Sequence, residues 1–337
     1  MKSRKVIIHG KEDVDIIEEE LTSLADGEAL IETELSLISA GTELSRVFAL
    51  KKGASYPVYP GYCSVGRVLE TGKNVRDVKP GDKVLFSAPH GSLHNFDPSR
   101  SDGGVLFRLD EKTPSEKAVY LEMCWIAMNG ILPVDVKLMD KVAIFGAGTL
   151  GIILAQYYQL MGCETYILDP VRERCELAER NGVINTLSCP ASQQVSELMQ
   201  ATEGEGVDIA VDATGLSKAI ETAIEVTRKY GTVVLLGSPR EEQIDNVSIP
   251  FYSIHSKMLN VVGALNRRYS FTEQPGTRIS MKRTLKYMEK LINDGKLSLE
   301  GFISHRIDPD KDRLLEAYRG LMYKKNEYTG VIINWKK

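Results

Sequence analysis

The run Gly146-Ala147-Gly148-Thr149-Leu150-Gly151 constrains this chain more than any other. It follows an apolar segment, Lys141–Phe145, and opens a helical pattern from Leu150 to Met161. Glycine at 146 permits a tight turn, glycine at 148 lets the backbone approach a phosphate, and glycine at 151 lets helix and strand pack closely. The helix start then offers unpaired N–H groups and a partial positive charge to an anion. A second strand, Glu164–Leu168, ends at Asp169, within the range of an acid about 20 residues past the glycines. A carboxylate there accepts hydrogen bonds from two ribose hydroxyls and repels a 2′-phosphate, so the pattern favours NAD over NADP. Arg172 and Arg174 follow closely, and an arginine so placed serves a phosphate in some sites.

The alternation continues. Arg172–Asn181 reads as a helix closed by Gly182, Ser217–Arg228 as another helix, and Val207–Val211, Thr232–Leu236 and Leu259–Val262 as apolar strands. This predicts an α/β fold with a doubly wound parallel sheet. VDATG (Val211–Gly215) and LLGSP (Leu235–Pro239) put small residues at strand carboxyl ends, where such sheets bind ligands. Ala213, Thr214 and Gly237 therefore join Gly146, Gly148, Thr149, Leu150, Gly151, Asp169 and Arg174 as candidate cofactor-binding residues.

The flanking segments read differently. Up to about Lys117 the chain shows short strands broken by turns, among them Ala29–Thr33, Ser64–Glu70 and Lys83–Phe86. Ser115–Leu132 has helical spacing. Beyond Asn266, two amphipathic helices (Ile279–Asn293 and Asp310–Tyr323) and a strand (Val331–Asn334) carry too little apolar mass to fold alone. The expected layout is a β-rich domain of residues 1–117 and 266–337, with a nucleotide domain of residues 118–265 between. A length of 337 residues agrees with two cores. A net charge of -4 excludes a general nucleic-acid surface. No apolar run reaches the ~20 residues of a membrane span, and Val6–Ile8 is too short for a signal peptide. With five scattered cysteines, a cytoplasmic protein is expected.

The chain resembles the medium-chain dehydrogenase/reductase superfamily along essentially its whole length. The resemblance lies in PGYCSVGRV (Pro60–Val68), VKPGDKV (Val78–Val84), GAGTLG with Asp169, VDATG, and ISHRIDPDK with EAY (Ile303–Tyr318). It implies a GroES-like domain built from both chain ends, a Rossmann domain between, a small-molecule substrate held between the two, and a homodimer or homotetramer. Zinc-dependent members carry cysteine and histidine ligands where this chain has Ala40 and Tyr62. Glu122 alone matches a position that some polyol dehydrogenases use, so no metal is expected, since catalytic zinc wants about three protein ligands. Cys63, His90 and Glu122 are the remaining set for a different metal. The run SAGTE (Ser39–Glu43) resembles a zinc-free branch that includes bacteriochlorophyllide a dehydrogenase.

The expected activity is thus NAD-dependent interconversion of a secondary alcohol and a ketone, on a sugar-like or ring substrate, without zinc. The candidate catalytic residues are Thr42, which matches the family's substrate-contacting hydroxyl, Tyr62, His90 and Glu122. Two other readings stand beside it: an enoyl or quinone reductase, and an NAD-binding protein without turnover.

Overall fold

The computed structural model describes residues 1–50, 53–99, 104–239 and 246–336. The chain divides into two units. One comprises Met1–Glu122, Tyr269–Asp294 and Ile303–Lys337; the other comprises Met123–Arg268 and Gly295–Phe302.

In the second unit the apolar segments form one parallel sheet of six strands. Its spatial order is Asn185–Leu187, Glu164–Leu168, Lys141–Phe145, Val207–Asp212, Thr227–Leu235, Asn260–Gly263. Numbered along the chain that order is 3-2-1-4-5-6, the doubly wound arrangement whose direction reverses beside the first strand. Val142, Ala143 and Ile144 are fully buried, as a strand covered on both faces requires. Gly151 starts the first helix so close to the preceding turn that any Cβ would strike the carbonyl oxygen of Gly146. The fifth strand begins earlier than its apolar run. Thr227 pairs with Val207, the register then shifts, and Thr232 pairs with Ile209. The extra residues include Tyr230 at φ 65, so the helix before them stops at Val226.

The first unit is β-rich. Ala29–Leu37 is its central strand, paired on one side with Ser64–Thr71 and on the other with Leu93–Phe96 and Val331–Asn334. Lys83–Phe86 and Leu106–Arg108 extend the sheet one way, and His305–Ile307 the other. Lys2–Gly10 and Asp13–Glu20 form a separate hairpin. The helical stretch expected over Ser115–Leu132 is broken into Ser115–Ala118 and Leu121–Met128. Tyr120 N–H turns back to Lys117 O, a tighter three-residue step that buries both Val119 and Tyr120. The late helices lie on this unit: Glu289, on Met281–Asn293, accepts from Thr113 Oγ1 and Asp110 N–H, both at 2.8 Å. No helix among the described residues is long and apolar enough to cross a membrane.

Val331, Ile332 and Ile333 are fully buried and bridge two strands. Each such side chain contributes about 1.5–3 kcal/mol, against a total stability of about 5–15 kcal/mol. A chain ending at Gly330 is therefore expected to accumulate as insoluble or unfolded protein. A soluble truncated protein with unchanged circular dichroism and melting temperature would contradict that.

Candidate active site and cofactor turn

The glycine turn builds an anion cradle. Gly148 caps the helix Thr149–Leu160 without a side-chain cap, and no acidic residue occupies the first turn, so the leading N–H groups have no side-chain acceptor. Asp169 is 4% exposed; its Oδ2 accepts from Ala147 N–H and its Oδ1 from Val171 N–H, both at 2.9 Å. Each carboxylate oxygen keeps a lone pair for a further donor. Arg174 Nη1 stands 3.9 Å from Asp169 Oδ2. Gly146 faces Thr214, and Gly237 packs on the Thr214–Gly215 backbone, so the small residues of three strand ends converge. Asp212, which sequence reading passed over, shapes that convergence. Its Oδ1 accepts from Thr214 N–H at 2.9 Å and Thr214 Oγ1 at 2.6 Å, and its Oδ2 from Gly215 N–H at 3.0 Å. These features fit a dinucleotide pyrophosphate and ribose.

The β-rich unit holds a second polar centre. The turn after Ala29–Leu37 brings Ser39 Oγ to 2.6 Å from the Tyr62 hydroxyl, and Thr42, first residue of the helix Thr42–Val47, also hydrogen-bonds that phenol. Burial pushes the Tyr62 phenol above its usual range, with Cys63 and Glu122 adding to the rise against Ser39 and Thr42. Glu122, 6% exposed, accepts from Ser87 Oγ at 2.9 Å. Burial pushes its carboxyl up to about 8, opposed only by Ser87. Cys63 is fully buried and its thiol is raised well above the ordinary range, by burial first and then by Glu122 and Glu43. Near pH 7 this centre therefore presents two neutral O–H acids, Tyr62 and Glu122, in surroundings that strengthen hydrogen bonds.

His90 stands apart from these hydroxyls. It is fully buried, and both ring nitrogens are engaged, Nδ1 with Ser36 Oγ at 2.8 Å and Nε2 with Glu43 Oε2 at 3.0 Å. His94 lies on the strand Leu93–Phe96 against Phe86, and burial lowers it to about 4. Sequence reasoning missed Ser39, Glu43, Ser87 and Tyr318. Ser39 and Glu43 stood in the quoted SAGTE run; Tyr318, which donates to Glu43 Oε2 at 2.7 Å, lies 275 residues from its partner.

A catalytic zinc does not fit the donors present. Ala40 offers no ligand atom, the Tyr62 phenol is held by Ser39, and Glu122 favours its proton. Among the described residues no three His, Cys, Asp or Glu side chains are placed to hold a metal ion.

A sequence profile of the zinc-binding dehydrogenases matches residues 149–276, the cofactor half of the chain. (R,R)-butanediol dehydrogenase of Neisseria gonorrhoeae is 25% identical over 84% of this chain and 82% of its own. Galactitol 1-phosphate 5-dehydrogenase of Escherichia coli is 26% identical over 79% and 82%. The crystal structure of the Escherichia coli galactitol-1-phosphate dehydrogenase shares the fold, with a TM-score of 0.78 at 21% identity over 98% of this chain and 99% of that one. These matches make the chain similar to the zinc-type alcohol and polyol dehydrogenases, in line with the resemblance read from its motifs. The fold expected from sequence, a parallel α/β sheet with a separate β-rich domain, is the fold observed.

The raised carboxyl of Glu122 sets a pH dependence. Below the ordinary value of 4.5 the group is protonated in folded and unfolded chains alike. From there to about 8 the unfolded chain releases the proton while the folded one keeps it, so this group's contribution to stability falls as pH rises. Glu122→Gln keeps an acceptor for Ser87 and removes the titration. Its melting temperature relative to the unaltered protein should rise between pH 5 and pH 8.5; a constant difference would contradict the assignment.

Proposed function

We propose that the protein is an NAD-dependent, zinc-independent oxidoreductase that interconverts a secondary alcohol and a ketone on a polyol-like or ring substrate. The observation that carries the reading is the Ser39–Tyr62–Thr42 hydroxyl cluster together with a neutral Glu122, Tyr62 and Glu122 standing at positions where zinc-dependent relatives are expected to place ligands. Relatives named for butanediol and galactitol 1-phosphate support the alcohol chemistry.

A nicotinamide dinucleotide, held by the Gly146–Gly151 turn and Asp169, would supply or take a hydride in this chemistry. The chain's own residues handle the oxygen. Tyr62, held by Ser39, donates its hydroxyl to the substrate oxygen, and Thr42 contacts the same oxygen. Glu122 holds the proton nearby: as an acid below about 8 it supports ketone reduction, and ionised above it supports alcohol oxidation. Asp169, with its spare lone pairs, receives the adenosine ribose, which favours NAD; Arg174 beside it steadies the carboxylate. His90 serves behind the hydroxyls.

The proposed assembly is a homodimer or homotetramer. The strand Asn260–Gly263 ends its sheet, unpaired on its outer side among the described residues. Ile249, Phe251, Tyr252 and Leu265 are between 63% and 71% exposed, more apolar surface than a lone subunit leaves without cause.

Tyr62→Phe is expected to lower kcat by about 10²–10⁴ on a responsive alcohol, with NADH affinity unchanged and NADH bound more tightly than NADPH in a fluorescence titration. Full turnover by both Tyr62→Phe and Thr42→Val would remove the hydroxyls from the chemistry. Tighter NADPH binding would overturn the cofactor assignment.

A further inference from the structure

Behind the Tyr62 hydroxyl lies a buried hydrogen-bond chain that the reaction as described leaves without a task. Glu43 is 2% exposed. Its Oε1 accepts from Ser39 N–H at 2.7 Å, and its Oε2 accepts from Tyr318 O–H at 2.7 Å and faces His90 Nε2 at 3.0 Å. On the far side of the imidazole, Nδ1 is 2.8 Å from Ser36 Oγ, and Trp335 Nε1–H donates to that same oxygen at 2.9 Å.

The carboxylate fixes the bonds that reach it. Both Glu43 oxygens accept, so the His90 Nε2 that faces Oε2 is the donor there. An indole N–H only donates, so Ser36 accepts from Trp335 while its oxygen also meets His90 Nδ1. Ser39 N–H, His90 Nε2 and Tyr318 O–H thus all point at one carboxylate. Such chains polarise one another in a poorly solvated interior. The carboxylate in turn grips the backbone of Ser39, whose hydroxyl lies 2.6 Å from the Tyr62 phenol.

His90 also meets the turn that carries Tyr62. Its N–H donates to Pro60 O at 2.7 Å, anchoring the turn that leads into Tyr62. Gly61 has φ +103, and a Cβ there would lie 2.7 Å from His90 N and 2.8 Å from the ring. The Tyr62 turn is thus moulded directly onto the imidazole.

We propose that Glu43 and His90 are positioning residues for this reaction: the carboxylate fixes Ser39 and the imidazole fixes the Pro60–Tyr62 turn, so that the Tyr62 hydroxyl is presented in one orientation. The inference rests on the reading of Tyr62 as the donor to the substrate oxygen. A side chain held by hydrogen bonds from a turn loses rate steeply when its support shifts, up to about 100-fold for a displacement near 1 Å.

The test is a double-mutant cycle on kcat, run with NAD and the vicinal diol or polyol turned over fastest. Glu43→Gln, which keeps the shape and withdraws the charge that orients Ser39 and His90, is expected to lower kcat up to about 100-fold while leaving NADH affinity unchanged. In the Tyr62→Phe background the same change should cost less than about twofold, because a positioning residue acts only through the group it positions. An equal loss in both backgrounds would overturn the inference while leaving the Tyr62 reading intact. A Tyr62→Phe enzyme with undiminished kcat would instead remove that reading, and this inference with it. Should Glu43→Gln not fold, Tyr318→Phe, which removes one donor to Glu43 Oε2 and leaves the Tyr62 turn untouched, carries the same comparison.

Discussion

A buried carboxylate must be matched by donors, and Glu43 draws its donors from its own turn and from two distant parts of the chain. Ser39 comes from the turn after the central strand, His90 from the loop before Leu93–Phe96, and Tyr318 from the helix Lys311–Tyr323. Removing any one partner leaves charge in an interior that penalises it heavily. The β-rich unit is thereby closed around a single anion, and its first and last segments are obliged to meet. Trp335 and the strand Val331–Asn334 complete that closure against Ser36 and Ala29–Leu37. The polar centre at Tyr62 inherits its rigidity from this arrangement.

In the proposed reaction that centre works by burial instead of by a metal charge. Removing water raises both the Tyr62 phenol and the Glu122 carboxyl, and keeps each as a hydrogen-bond donor near neutral pH. A developing alkoxide or ketone oxygen needs such donors when no Lewis acid is at hand. Cys63 and Ala40 lie in the same turns without adding a ligand set, since the thiol is buried and raised and the methyl offers nothing. The profile that describes zinc-binding dehydrogenases covers residues 149–276, outside these turns, so it reports on the cofactor fold alone.

How much of this could be read from the sequence depended on distance along the chain. The glycine turn, the strand before it and Asp169 are local, and apolar periodicity with three glycines is enough to specify them. The capped late helices were legible for the same reason: Asp310 accepts from Asp312 and Arg313 N–H groups directly ahead of Lys311–Tyr323. The Glu43 cluster was not legible, because its partners are 47 and 275 residues away and nothing in local pattern pairs them. The hairpin of Lys2–Gly10 and Asp13–Glu20, the broken helix at Val119–Tyr120 and the early start of Thr227–Leu235 were also hidden. In each, tertiary burial or strand pairing overrode the simple period. Candidate hydroxyls could be named from motif position, but which of them share a hydrogen bond is a property of the folded turns.

The central claim is that the oxygen chemistry is carried by Tyr62, Thr42 and Glu122 without zinc. Elemental analysis of the purified, active protein, paired with turnover in the presence of a strong chelator, tests it most directly. The account predicts well below one zinc per chain and undiminished turnover; stoichiometric zinc whose removal abolishes activity, and whose return restores it, would contradict it.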